Sequence, residues 1–280
     1  MFCISLTLHY LCNKQSKNKE MRHKNILAAI VALCLFTACR SHYHMTGIER
    51  SRILVDERYD AAVGQLTAIN EYMAPYKMQV DSIMKPLLGH TAGYYVADRP
   101  ESELSNLLPD ILMWAASQYG EQPDFAVYNT GGMRAALPEG EITVGDILEL
   151  APFENKICFL TLTGDKVLEL AQQIVGRGGE GVSKEFRIVG VKNKKNHRLI
   201  EATVNGQPID PARKYRIVTI DYVSHGNDEM KAFLSATDIR MPGEERDLSK
   251  YVIMRYFQEM EKQGRVVEAK IDGRMTLKEE

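Results

Sequence analysis

Residues 186–223 read FRIVGVKNKKNHRLIEATVNGQPIDPARKYRIVTIDYV. FRIVGVK and RLIEATV are rich in β-branched residues and flank KNKKNH, which reads as the polar tip of a hairpin. Lys192, Lys194, Lys195, His197 and Arg198 make this the one basic run of the chain; without interleaved aromatics it is a solvated turn. Asn205-Gly206 predicts a second tight turn. KYRIVTIDYV then reads as a buried strand, and a helix over 249–262, ended by Gly264, precedes a final strand. Hairpins mixed with helices in this way predict an α+β fold.

Upstream of this stretch, KICFLTL reads as a strand, followed by a helix that Thr163 caps and that runs to Ile174, with Asp165 in its first turn. ITVGDILEL predicts a short strand and a helical turn, and DFAVYN a strand that runs into a turn at Gly131-Gly132. A helix around 106–119 has Leu108, Ile111, Leu112, Ala115, Ala116 and Tyr119 on one face; Pro109 fits it only in the first turn. Its Trp114 reads as a packing residue. Residues 57–88 predict one broken helix or two short ones, interrupted at Pro75 and closed near Pro86 and Gly89.

The first forty residues have a different grammar. Arg22, His23 and Lys24 precede an apolar run from Ile26 to Phe36, too short to span a bilayer and suited to a signal peptide. Thr37 and Ala38 then lead into Cys39. Small residues before a cysteine resemble the lipobox of bacterial lipoproteins, with Phe36 where Leu is usual. The expectation is a signal over 21–38, lipidation at Cys39, a tether over 39–56 and a main domain over 89–280. Residues 1–20 precede the signal, which places the expected start at Met21. Cys158 is then the single cysteine of the body, so no internal disulfide is expected there, and on an apolar strand it reads as a small buried hydrophobe.

The 280 residues carry 35 basic and 37 acidic side chains, with 45% hydrophobic residues. That balance excludes a disordered, collagenous or multispanning chain and gives no support to binding of a nucleic-acid polymer.

Three polar or aromatic clusters stand at the ends of apolar strands. In Asn129-Thr130-Gly131-Gly132-Met133-Arg134 the double glycine lets backbone approach a ligand, and the arginine can fork onto a carboxylate or phosphate. In Pro152-Phe153-Glu154-Asn155 an aromatic face and an amide suit stacking with edge hydrogen bonding. In Asp221-Tyr222-Val223-Ser224-His225-Gly226-Asn227-Asp228 an aromatic precedes a turn whose aspartate can accept from vicinal hydroxyls. Each alone reads equally well as an ordinary turn.

In this order, and with ESELSNLL, LTGDKVLELAQ and the closing IDGRM around them, the clusters resemble the C-terminal domain of bacterial and animal 5′-nucleotidases over about 85–275. The resemblance implies a four-layer α-β-β-α domain that binds the nucleoside part of a nucleotide. It implies that Phe153 and Tyr222 sandwich the base, that Asn155 bonds the base edge, that Asp228 and Asn129 bind ribose hydroxyls, and that Arg134 contacts the phosphate side. Arg99 is the nearest match to a second family arginine, one residue out of register. The family's third motif usually reads Gly-Gly-Asp-Gly-aromatic; here Gly226-Asn227-Asp228-Glu229-Met230 stands in its place. Asn227 is expected to take the left-handed turn, and Glu229 adds a carboxylate that weakens binding of highly charged nucleotides.

In that family the phosphate bond is broken by a separate metallophosphoesterase domain with D-x-H, G-D-x-x-D, G-N-H-D/E and G-H-x-H signatures, none of which occurs in this sequence. Of the seven histidines, only His90, His197 and His225 lie beyond residue 45, and they are far apart. The expectation is a metal-free substrate-recognition unit, inactive alone, anchored by lipid in the bacterial envelope and facing the periplasm. It would work with a separately encoded metallophosphatase holding two divalent ions, with segment 57–88 as a docking surface. The alternative is a lipoprotein that binds nucleosides or nucleotides without catalysis.

Overall fold

A computed structural model describes residues 63–193 and 197–279. The signal segment, Cys39 and the hairpin tip 194–196 lie outside these residues. The chain begins with helix α1 (Val63–Met84), in which Pro75 is interior and does not break the helix. Strand β1 (Leu87–Thr91) follows and pairs antiparallel with β3 (Gly140–Thr143).

Helix α2 spans Glu103–Ala116 and starts at a reciprocal Ser102/Ser105 capping box, earlier than the sequence pattern indicated. Pro109 therefore falls in the helix interior, not in the first turn. Its ring removes the hydrogen bond to the Ser105 carbonyl, and the backbone of Gly181 approaches that carbonyl closely: a Cβ on Gly181 would stand 2.6 Å from Ser105 O. Trp114 packs edge-on against Tyr256, with ring centroids 5.1 Å apart.

Two larger sheets make the body. The first runs β10-β4-β9-β2-β5, built from β2 (Phe125–Tyr128), β4 (Ile157–Thr163), β5 (Gly181–Val182), β9 (Lys214–Ile220) and β10 (Thr237–Arg240). The second runs β11-β6-β7-β8, built from β6 (Phe186–Lys192), β7 (Arg198–Val204), β8 (Gln207–Pro208) and β11 (Met275–Glu279). The Asn205-Gly206 turn joins β7 to β8 with both residues at positive φ, 51° and 73°. Helix α3 (Val144–Leu150) follows β3, and α4 (Gly164–Gly176) packs against strands of both sheets. A four-residue helix, α5 (Asp221–Ser224), follows β9, and α6 (Ser249–Lys262) packs against α2 and β1. This is the mixed α+β architecture that the sequence implied.

The alternation of β6, buried at Phe186 and Ile188 and exposed at Arg187, reflects one covered sheet face. Strands β2 and β4 are buried along nearly their whole length, because helices and the second sheet cover both faces. Phe125 of β2 meets Phe186 of β6 with ring centroids 4.2 Å apart, a direct contact between the two sheets. Cys158 is buried within β4, and burial pushes its thiol up to about 11. Among the described residues, no helix is long and apolar enough to cross a membrane.

Strand direction determines what gathers at one edge of the larger sheet. β2 and β9 are parallel neighbours, so Asn129, after β2, and Asp221, after β9, leave on the same side. β4 is antiparallel to β9, with Ile157 opposite Ile220, which brings residues 152–155 to that side as well. β5 is antiparallel to β2, with Gly181 opposite Tyr128, which adds residues 177–180. Four loops distant in sequence therefore meet at one edge.

Candidate functional site

These loops enclose an open cleft of about 220 Å³, lined by Asn129, Gly131, Gly132, Phe153, Asn155, Tyr222 and Asp228. All seven lie in the three strand-end clusters of the sequence.

Phe153 and Tyr222 are 46% and 39% exposed, and their rings do not contact each other. Phe153 hangs on the short link between α3 and β4. Backbone holds that link: Ser249 N donates to Asn155 O at 2.7 Å, and Asp221 N to Lys156 O at 2.9 Å. Glu154 points away and pairs with Lys250 of α6. The Asn155 side-chain amide makes no hydrogen bond among the described residues and faces the cleft. Tyr222 sits in the first turn of α5, its carbonyl accepting from Asn227 Nδ2 at 2.8 Å.

The polar wall is built differently. Asn129 is buried; its Nδ2 donates to Asp228 Oδ2 at 2.7 Å, while its Oδ1 has no partner among the described residues. Gly132 is packed against that amide: a Cβ there would stand 2.7 Å from Asn129 Oδ1. Gly131 has open space, with its nearest neighbours 4.0 Å from a Cβ. The other oxygen of Asp228 accepts from Arg177 Nη2 at 3.1 Å.

Arg177 and Glu180 belong to no motif read from the sequence. The available signal was a charged pair bracketing Gly178-Gly179, which have φ of 85° and 115°. The Glu180 side chain is fully buried. Its Oε1 accepts from Arg177 Nε at 2.8 Å and from Arg99 Nη2 at 2.6 Å; its Oε2 accepts from the backbone N–H of Thr130 at 2.6 Å. Burial works against the Arg177 charge, yet the Glu180 hydrogen bond and the fields of Glu180, Asp228 and Glu229 outweigh it and raise the guanidinium above its ordinary pKa.

Arg99 thus stands outside the cleft, its Nε donating to Gly179 O at 2.7 Å and its fork engaged by Glu180. Arg134 is exposed and also outside the lining, with Nη1 donating to Gly131 O at 3.3 Å. The left-handed residues of the third cluster are Gly226, Asp228 and Glu229, with φ of 76°, 52° and 59°. Asn227, expected there from its residue type, does not adopt that conformation; its side chain and carbonyl instead tie the loop to Tyr222 and Met230.

The cleft presents two separated aromatic faces, one free amide and one carboxylate, and no cation in its lining. Such a surface accepts a planar uncharged ring that carries hydroxyl donors. Among the described residues no three His, Cys, Asp or Glu side chains are grouped to hold an ion.

A family model described as "5′-nucleotidase, C-terminal domain" matches residues 87–235. The trifunctional nucleotide phosphoesterase protein YfkN of Bacillus subtilis is 26% identical over 216 residues, covering 71% of this chain and 14% of YfkN. Protein UshA of Escherichia coli is 24% identical over 171 residues, covering 61% of this chain and 31% of UshA. A 5′-nucleotidase precursor of Thermus thermophilus superposes with a TM-score of 0.63 at 24% identity, over 75% of this chain and 42% of the other. The chain spans less than half the length of each of these relatives.

Proposed function

As a member of the 5′-nucleotidase C-terminal domain family, this chain is, we propose, the nucleoside-recognition unit of a 5′-nucleotidase-type phosphohydrolase. The base lies between Phe153 and Tyr222, with its edge on Asn155 and the ribose hydroxyls on Asp228 and Asn129. The supporting observation is the cleft itself, which collects these groups from loops far apart in sequence. With no cation in the lining, the uncharged nucleoside enters and the phosphate points outward, towards the side where Arg134 is exposed.

The phosphoester is broken outside these 280 residues, by a separately encoded metallophosphatase that brings its own pair of divalent ions. Helix α1 supports the existence of such a partner. Ile69, Met73, Tyr76, Val80 and Ile83 follow one another at alternating four- and three-residue spacing, and all are exposed. That spacing matches the seam by which one helix packs on another. Cys39, outside the described residues, is the proposed lipid attachment that holds the chain in the envelope facing the periplasm.

Calorimetric titration of the full-length chain with adenosine and AMP tests the recognition role. Saturable binding of both, weakened by about 1–3 kcal/mol in Phe153→Ala, is the expected result; no binding of either ligand overturns it. Adding the candidate phosphatase then separates the two roles. Hydrolysis of AMP that depends on Asp228 supports presentation of substrate, whereas hydrolysis indifferent to this chain leaves a binding lipoprotein without catalysis.

A further inference from the structure

We propose that Arg177 and Glu180 are positioning residues for hydroxyl recognition: Glu180 fixes the Arg177 guanidinium, which holds the Asp228 carboxylate turned towards the sugar. The proposal rests on the nucleoside reading above and adds to it residues that touch no ligand.

The geometry runs outward from one buried carboxylate. Glu180 takes three donors, and each comes from a different part of the site. The Thr130 N–H ties it to the loop that carries Asn129, Arg99 ties it to the turn before α2, and Arg177 ties it to Asp228. A fully buried carboxylate without such donors would be strongly disfavoured, so these contacts and the shape of the wall stand or fall together. Two guanidinium groups face two carboxylates, which leaves the cluster balanced.

Asp228 shows why the arrangement matters for a ligand. A carboxylate offers about four acceptor positions. Arg177 and Asn129 each use one, on different oxygens. The plane of the carboxylate is thereby fixed from two sides, and a remaining acceptor position on each oxygen is free for a hydroxyl. Asp228 also sits at a φ of 52° with the carboxylate-bearing Glu229 next to it at 59°, a turn that gives the side chain no support of its own. Removing Arg177 leaves two adjacent acidic residues with no cation to orient the first.

The test compares adenosine with 2′,3′-dideoxyadenosine, titrated calorimetrically into the full-length chain, Arg177→Met and Glu180→Gln. Wild type is expected to prefer adenosine by about tenfold or more, the value of hydrogen bonds to a charged acceptor. In Arg177→Met the preference falls to within about threefold, while affinity for the dideoxy ligand stays unchanged. Glu180→Gln is expected to shift the preference in the same direction; should it fail to fold by circular dichroism, Arg177→Met decides alone. A wild type that binds neither ligand overturns the nucleoside reading and this proposal together. A wild type that discriminates, with an Arg177→Met variant that discriminates equally well, overturns this proposal alone. Equal loss for both ligands in Arg177→Met also overturns it, because a merely structural role does not distinguish them.

Discussion

The two walls of the cleft are made by opposite means. On the polar wall, Asn129, Asp228, Arg177 and Glu180 are bound to one another by side chains, and the central carboxylate is out of reach of water. On the aromatic wall, the side chains of Phe153, Tyr222 and Asn155 make no hydrogen bond among the described residues, and hydrogen bonds to the main chain of their segments present them. The difference separates two tasks. A stacking surface needs only a ring at the right height, because every planar ligand has a face. A hydroxyl-binding carboxylate needs a fixed direction, and direction is maintained by partners.

The largest expected effect lies on the aromatic wall, and it should leave folding untouched. Phe153→Ala and Tyr222→Ala are each expected to cost about 1–3 kcal/mol of nucleoside affinity. Both rings are more than a third exposed and neither joins the buried core, so the thermal midpoint should not move. Titration and thermal denaturation of the same samples check this. A fall in midpoint of several degrees would mean that the wall supports the fold and is not merely presented by it.

An intermediate effect is expected where the polar wall meets the glycine turn. Gly132→Ala puts a Cβ 2.7 Å from Asn129 Oδ1 and must shift that amide, which is expected to weaken its bond to Asp228. Overpacking of this kind costs about 1–3 kcal/mol. Part of it should appear as lost stability and part as lost preference for adenosine over its dideoxy analogue. Gly131→Ala, one residue away with open space, should change stability by less than about 0.5 kcal/mol. If the two alanines behave alike, the wall is not held by the Asn129–Asp228 contact.

The same contrast explains what could be read from residue order. Phe153, Tyr222 and the double glycine are legible through their order along the chain and the flanking stretches that resemble the family, since each cluster alone reads equally well as an ordinary turn. The α+β class followed from short-range signals, as in the Asn205-Gly206 turn and the terminal helix. Arg177 and Glu180 are not legible in residue order, because their importance comes from pairing. Gly181 must lie opposite Tyr128 before Glu180 can reach Thr130, and nothing local to Arg177-Gly178-Gly179-Glu180 announces that register. Arg99 is the nearest match to a family arginine, one residue out of register, and the fold turns it to the buried carboxylate. Pro109 lies in the helix interior because the capping box at Ser102 starts the helix earlier than its apolar periodicity indicates.

The smallest effect concerns Glu229, and its sign discriminates between two views of the turn. The residue is exposed and at φ 59°, a conformation that costs an L-residue about 1–2 kcal/mol and glycine almost nothing. Glycine in its place recovers that strain but frees the unfolded chain, at a cost of about 0.5–1 kcal/mol. Glu229→Gly should therefore stabilise by about 0.5 kcal/mol, a rise of about 1–2 °C in the thermal midpoint of a domain this size. Because the side chain is exposed and outside the cleft lining, its charge is screened by solvent. Affinity for AMP relative to adenosine should improve by no more than about threefold, and less at high salt. A variant that is less stable than wild type would show that Glu229 holds the turn through its carboxylate; its pairing with the field of Arg177 would then be the first contact to test.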